Sequence, residues 1–322
     1  MQRLLLTEAL RKRLLPHLAH QARVVGPRRE DDGVVRWGEL TAWSELAPPA
    51  ELPQLPPKVW LLPSPELLWT EGGGGFVPAA NDEALVLVGV ATCDLAGVAW
   101  LDQAGADDGS YRRRRRSLRL VGRACQPLPS CSCPPRTSPP PFDLFVDDDW
   151  LWSGSAWGDG VLAALAEGPR VVTHAVPKTS AHAATLAPPA DLAARFRAGQ
   201  EAPVWAATAA RCLACGACSV VCPTCNCFDV VDTAPLAGPV QRWRVADNCF
   251  FRDHALVAGG HNFRPDRTAR LKFRFEHKLL GFGPLRGQSS CVGCGRCVRA
   301  CPARIDLREV WAALPAAPEG GG

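Results

Sequence analysis

Between residues 212 and 227 the chain reads CLACGACSVVCPTCNC, and between 291 and 302 it reads CVGCGRCVRACP. Cys212, Cys215, Cys218 and Cys222 have the spacing CxxCxxCxxxC and precede Pro223; Cys291, Cys294, Cys297 and Cys301 repeat it and precede Pro302. Three thiolates at two-residue gaps let a tight loop wrap three corners of an iron–sulfur cubane. The small residues between them, Ala214, Gly216, Ala217, Gly293 and Gly295, let backbone N–H groups approach the sulfurs. The fourth cysteine stands at a helix start, and in two-cluster ferredoxins it reaches across to the other cluster. The pattern therefore predicts two [4Fe–4S] clusters, one on Cys212, Cys215, Cys218 and Cys301, the other on Cys291, Cys294, Cys297 and Cys222. A pair of zinc knuckles is the competing reading, but zinc sites usually pair CxxC with a distant CxxC or with histidines, and the Cys-Pro ending is foreign to them.

Of the fifteen cysteines, seven remain. Cys93, Cys125, Cys131 and Cys133 precede the motifs, and four thiols are the number that a third [4Fe–4S] cluster needs. Cys225, Cys227 and Cys249 give three thiolates, so a separate site there needs an open position or another ligand such as His254 or Asp247. Each of the seven is also readable as a small buried apolar side chain, and sequence alone does not choose.

The elements that must carry these residues are partly readable. Residues 23–62 alternate β-prone runs (ARVVG, GVVRWG, KVWLLP) with proline-rich connections. Residues 85–103, ALVLVGVATCDLAGVAWLD, read as a buried strand, a tight turn and a helix with Cys93 and Asp94 at its N-terminus. The run Gly72 to Gly75 reads as a loop, since no helix or GK[ST] ending follows it. Residues 124–141 are too rich in proline for regular structure, strands resume at FDLFVDD and DWLWSG, and a connection near 181–190 is expected to be mobile. The expected fold class is α+β: a mixed α/β domain over 1–200, a mainly helical dicluster ferredoxin-like domain over 201–310, and a flexible tail over 311–322. Crossed ligation requires the two motifs to pack about a local pseudo-two-fold axis. The 68 residues between Cys222 and Cys291, with the helical run at 267–282, favour a helical domain over the small β-α ferredoxin fold. Arg252, Arg264, Arg267, Arg270, Arg274 and Lys278 lie in that link, where cations near a cluster favour its reduced form; a solvated helix face is the other reading of the 267–278 run.

A chain of 322 residues can bury two cores without covalent staples. The odd cysteine count and the absence of a secretory pattern at the N-terminus predict a reducing cytoplasmic setting. No apolar run reaches the roughly 18 residues of a spanning helix. A net charge of +4 does not suggest nucleic-acid binding. The local excess at Arg112 to Arg116 reads as a solvated helix face, or as a dock for an acidic partner or anionic cofactor. No GxGxxG fingerprint is present, so nucleotide chemistry is expected on another chain.

On PPKVWLLPSPELL (56–68), GVATCDLAGVAWLD (89–102), DGSYRRR (108–114), Cys125 with CSC (131–133), CLACGACSVVCPTCNCFDVVD (212–232), AGGHNFR (258–264), EHK (276–278) and CVGCGRCVRACPARIDLRE (291–309), the chain resembles the iron–sulfur beta subunits of soluble sulfhydrogenases and related cytosolic nickel–iron hydrogenases. That family is itself similar to the electron-transfer subunit of anaerobic sulfite reductase. The resemblance implies an electron-transfer subunit with no substrate chemistry of its own. It would stand between a flavin subunit handling NAD(P)H and the nickel–iron hydrogenase subunits, or a siroheme sulfite reductase subunit. The family usually has proline before the cysteine of the GVxxCDL element, where this chain has Thr92. A flavin-binding iron–sulfur oxidoreductase and an iron–sulfur DNA-binding sensor are the alternatives; stoichiometric flavin or salt-dependent DNA binding would mark them.

Overall fold

A computed structural model describes residues 1–72, 74–79, 83–134, 140–147, 149–168, 170–179 and 189–316. The expected mobile connection at 181–188, the core of the proline-rich stretch at 135–139 and the tail beyond 316 lie outside the described residues. The chain divides into two compact units, one of Met1–Leu61, Asn81–Cys131 and Pro135–Thr185, the other of Leu62–Ala80, Ser132–Pro134 and Leu186–Gly322. Each unit is built from several stretches, so a single cut near 200 does not separate them.

The first unit is organised by an eight-stranded sheet in the order Val171–Val172, Gln2–Leu5, Trp150–Ser153, Leu144–Val146, Leu118–Arg123, Leu85–Ala91, Arg23–Arg29, Val35–Glu39. Arg23–Arg29, Leu85–Ala91, Leu118–Arg123 and Leu144–Val146 run parallel, and the outer strands are antiparallel. The run LVLVGVA is buried at every position, as a central parallel strand covered on both faces must be. The helix Thr92–Ala104 follows it directly and carries Cys93 and Asp94, both buried, in its first turn. The helix Glu8–Ala19 starts at Thr7, whose hydroxyl accepts the Leu10 N–H at 3.1 Å, and Ala156–Leu165 starts at Ser155, which caps Gly158 at 3.2 Å. Their leucines and valines close the core with Val86, Val88, Val121 and Leu144.

Two expectations for this unit change. The segment Lys58–Leu61 is a short helix rather than a strand, since Pro56 and Pro57 supply no N–H for a ladder and suit a helix entry. The arginine run is not a freely solvated face. It lies on the helix Gly109–Ser117, where Arg114 Nε donates to the Leu61 carbonyl at 2.8 Å and Arg115 Nε to Asp102 at 3.0 Å. Tyr111 shares Asp102 through its hydroxyl at 2.7 Å, and burial holds its phenol protonated far above the usual range.

The second unit is α+β in its own right. Helices Leu192–Ala198, Val204–Arg211, Arg267–Leu280 and Leu307–Ala312 pack around Phe196, Trp205, Phe250, Phe275 and Trp311. Beside them stands an antiparallel sheet in the order Phe228–Thr233, Gln241–Ala246, Glu66–Gly72, Gly75–Pro78, so the expectation of a mainly helical domain does not hold. The glycines at 72 and 75 close the hairpin of its last two strands. Arg244 and Glu66 face each other across the centre of this sheet, both buried, with Arg244 Nε donating to Glu66 Oε2 at 2.7 Å. Among the described residues no helix is long and apolar enough to cross a membrane.

Candidate metal centre

The two cysteine motifs take the same backbone path. The helix Val204–Arg211 ends at Cys212, and Ala214 and Gly216 then adopt positive φ (53° and 76°) before the helical turn Ala217–Val220. In the second motif Gly293 and Gly295 hold the matching positive φ values (70° and 68°) before the turn Arg296–Arg299. Left-handed residues turn the chain so that successive N–H groups face inward. The Ala214 N–H meets the Cys212 sulfur at 3.4 Å, and the Gly293 N–H bonds the Cys291 sulfur. Close packing fixes two of these glycines. A Cβ on Gly216 would stand 2.4 Å from the Asn248 side chain, and one on Gly293 would stand 2.4 Å from the backbone of Ser132 and Cys133.

All eight motif cysteines line a single cavity of about 110 Å³ in this unit, walled by Phe250, Phe275, Trp311 and the glycine turns. Cys218 lies near Cys212 and Cys301, with Cys222 also close, and Cys297 lies near Cys291 and Cys222. Cys301 of the second motif thus lies near Cys218 of the first, and Cys222 of the first lies near Cys291 and Cys297 of the second. Among the described residues no three His, Cys, Asp or Glu side chains converge on one ion position. The eight thiols ring a volume rather than a point, which suits polynuclear clusters and not a zinc tetrahedron with sulfurs about 2.3 Å from one centre.

Cations from the long helix Arg267–Leu280 complete the lining. Arg274 is buried, its guanidinium donating to the Ser219 hydroxyl at 2.8 Å and the Cys218 carbonyl at 2.9 Å. Lys278 Nζ donates to Thr224 Oγ1 at 2.9 Å, and that hydroxyl in turn reaches the Ser290 carbonyl and the Cys222 sulfur. Burial by itself would lower the pKa of Arg274, yet Cys218, Cys222, Cys225 and Cys297 around it raise it well above the ordinary guanidinium value. The thiols respond in the opposite sense. Burial pushes Cys297 up to about 12 and raises Cys218, while Arg274 pulls both down. Arg274 and Lys278 therefore belong to the centre, whereas Arg252 is exposed and Arg270 donates to the Arg264 and Pro265 carbonyls.

Sequence reasoning missed Asn248. Its buried amide donates to the Gly216 carbonyl at 2.9 Å and accepts the Phe250 N–H at 3.1 Å, pinning the first motif's turn. Nothing in the linear pattern marks it beyond its place beside Cys249.

The remaining cysteines separate. Cys93, Cys125 and Cys131 lie together in the first unit; burial first, then Cys93 and Cys131, push the Cys125 thiol up to about 12. Cys133 belongs to the second unit, where its thiol donates to the Gly293 carbonyl at 3.2 Å. Cys227 hydrogen-bonds Cys225 and Cys249. The space beside these three is about 10 Å³, with Arg274, His277 and Lys278 at its rim. The bond from Cys227, aided by Arg274 and Lys278, lowers the Cys249 pKa despite its burial. His254 and Asp247, considered as extra ligands, are bonded to each other.

Residues 211–305 match the family model described as a 4Fe-4S dicluster domain. Over 318 residues the chain is 34% identical to "Sulfhydrogenase 2 subunit beta" of Pyrococcus furiosus, an alignment that covers 91% of this chain and 92% of that one. No solved structure gives a significant match. An iron–sulfur dicluster domain and a relative similar along nearly the whole chain identify this protein as a member of the sulfhydrogenase beta-subunit family.

Proposed function

We propose that the chain is an electron-relay subunit of a nickel–iron hydrogenase complex, with two [4Fe–4S] clusters ligated crosswise by Cys212, Cys215, Cys218 and Cys301 and by Cys291, Cys294, Cys297 and Cys222. The observation that carries this reading is the single cavity ringed by all eight motif cysteines, with Arg274 and Lys278 in its wall. A [4Fe–4S] cluster, when bound, takes up and releases one electron at a potential set by charge and hydrogen bonds around it. The chain's own residues supply those terms. Arg274 and Lys278 offset the negative charge of the thiolates, and the glycine and alanine turns present N–H groups to sulfur. Phe250, Phe275 and Trp311 keep the cavity apolar. The first motif reaches the surface, since Cys215 is exposed and Leu213 is 63% exposed, which is where an electron would pass to another protein.

The relative's name supports a hydrogenase complex over a sulfite reductase complex. In this reading a flavin subunit handling NAD(P)H stands on one side of the relay, the nickel–iron subunits on the other, and the chain works in the cytoplasm without substrate chemistry of its own. Isolation of the native complex with metal analysis tests this. Nickel is expected in the complex, and siroheme in place of nickel would reassign it; the chain purified by itself should hold about eight iron atoms, and about twelve would add a third cluster on the remaining cysteines.

A further inference from the structure

The first unit contains a cavity of about 360 Å³ that the relay does not use. It opens at the carboxyl ends of the adjacent parallel strands Leu85–Ala91, Leu118–Arg123 and Leu144–Val146, through Gly89, Arg123 and Val146. Open α/β sheets bind ligands at that edge, and the volume lies in the range of small-molecule sites. The strand Leu85–Ala91 is irregular there: its register shifts between Val88 and Val90, and Gly89 takes a φ of 76°. Such bulges re-aim the chain beside binding sites.

The lining is cationic and unfinished. Arg123 is 8% exposed, and its terminal nitrogens donate to the carbonyls of Ala47, Pro48 and Glu51, which hold the side chain in place without a bonded counter-ion among the described residues. Burial lowers its pKa to about 10, with Cys125, Asp94 and Glu51 opposing that shift, so it remains a cation at neutral pH. Among the described residues, the Nε–H groups of Arg123 and of Arg11, from the helix Glu8–Ala19, are buried and meet no acceptor. Both arginines line this cavity. Among the described residues its one lining carboxylate, Asp147, is already engaged, accepting from the N–H groups of Asp149, Trp150 and Lys178 and from the Trp152 indole. The Glu51 carboxylate, close by, is paired with Arg29 through Oε1, while its Oε2 is buried and meets no donor among the described residues. Two buried N–H donors without acceptors cost stability that an anionic oxygen would return. The rest of the wall includes the apolar side chains of Trp43, Leu46 and Pro48.

We propose that this cavity binds an organic phosphate, its anionic oxygens between Arg11 and Arg123 and its planar part against Trp43. The inference stands on the first unit alone and is independent of the cluster assignment. Calorimetric titration of the purified full chain with AMP, inorganic phosphate and adenosine tests it. AMP should saturate one site and bind more tightly than either part-ligand. Arg123→Gln would also release the 47–51 loop, so the informative variant is Arg11→Gln, which removes one donor from the cavity and breaks none of the carbonyl bonds made by Arg123. It should weaken AMP about tenfold, the loss of one charged hydrogen bond, with iron content unchanged, and Trp43→Ala should reduce AMP to the affinity of inorganic phosphate. AMP binding no tighter than adenosine, or AMP binding unaltered by Arg11→Gln, overturns the proposal.

Discussion

At the residue scale, the two motifs share a backbone but differ in what they tolerate. Position 214 already holds alanine at positive φ, and its counterpart Gly293 cannot, because a Cβ there would stand 2.4 Å from the Ser132–Cys133 backbone. Gly293→Ala combines that clash with the roughly 1–2 kcal/mol that a side chain costs in the left-handed region. Iron should fall from about eight to about four atoms per chain as the second motif loses its cluster, while Ala214→Gly leaves iron unchanged. An iron count untouched by Gly293→Ala would show that the turn yields. His277 offers a second test of position over type. Its imidazole lies between the rings of Phe273 and Phe282, and burial, then Lys278 and Arg264, lower its pKa to about 4. The native state thus refuses a proton that the unfolded chain accepts near 6.5. The stability His277 contributes is fully present above about 6.5 and is lost progressively as the pH falls toward 4, by about 1 kcal/mol at pH 5 with solvent screening of the half-buried ring included. Urea unfolding at pH 7 and pH 5 should show the wild type losing more stability than His277→Gln; equal losses would place the proton uptake elsewhere.

At the element scale, the sheet of the second unit depends on the buried pair of Arg244 and Glu66, whose side chains are 8% and 3% exposed. Removing one member strands the other charge, so Glu66→Ala should cost about 3–5 kcal/mol, whereas the double change Glu66→Leu, Arg244→Met should cost much less. Thermal unfolding of the three proteins decides it, and a double variant as damaged as the single one would mean the pair is needed for more than its charges. This sheet also shows where sequence reading ends. The cysteine spacings were legible because ligation fixes them to within a residue, and the strand Leu85–Ala91 was legible because burial on both faces leaves an unbroken apolar run. Phe228–Thr233 is exposed along its whole length, and Gln241–Ala246 pairs with a strand about 170 residues earlier, so neither local pattern nor chain proximity announces them. Arg274 and Lys278 could be named as candidates, but only the packing of their helix against Cys218 and Thr224 separates them from Arg252. The Arg112–Arg116 run escapes a linear reading for the same reason, its carbonyl and carboxylate partners lying at Leu61 and Asp102.

At the scale of the whole molecule, the dicluster unit is not a segment of the chain that can be cut out. Residues 211–305 carry the family match and all eight motif cysteines, yet the unit also takes in Leu62–Ala80 and Ser132–Pro134. A fragment of 187–322 would leave Gln241–Ala246 as an open edge where Glu66–Gly72 had paired, an invitation to intermolecular pairing. It would leave the buried Arg244 guanidinium without Glu66, and it would remove the Ser132 backbone that donates to the Gly293 carbonyl at 2.8 Å, beside the second motif. The first two losses fall on one strand and the third on the turn of the second motif, so removal of the early segments damages two separate parts of the unit. The fragment should aggregate or hold well under half of the iron of the full chain after identical reconstitution, and fusing residues 62–80 back to its N-terminus should recover solubility before it recovers iron, since the 132–134 contact is still missing. A fragment that takes up about eight iron atoms and unfolds in one cooperative transition would show that the early strands merely decorate the cluster unit. The expected failure would instead explain why the resemblance to the sulfhydrogenase beta subunit runs through 91% of the chain rather than stopping at the motif region.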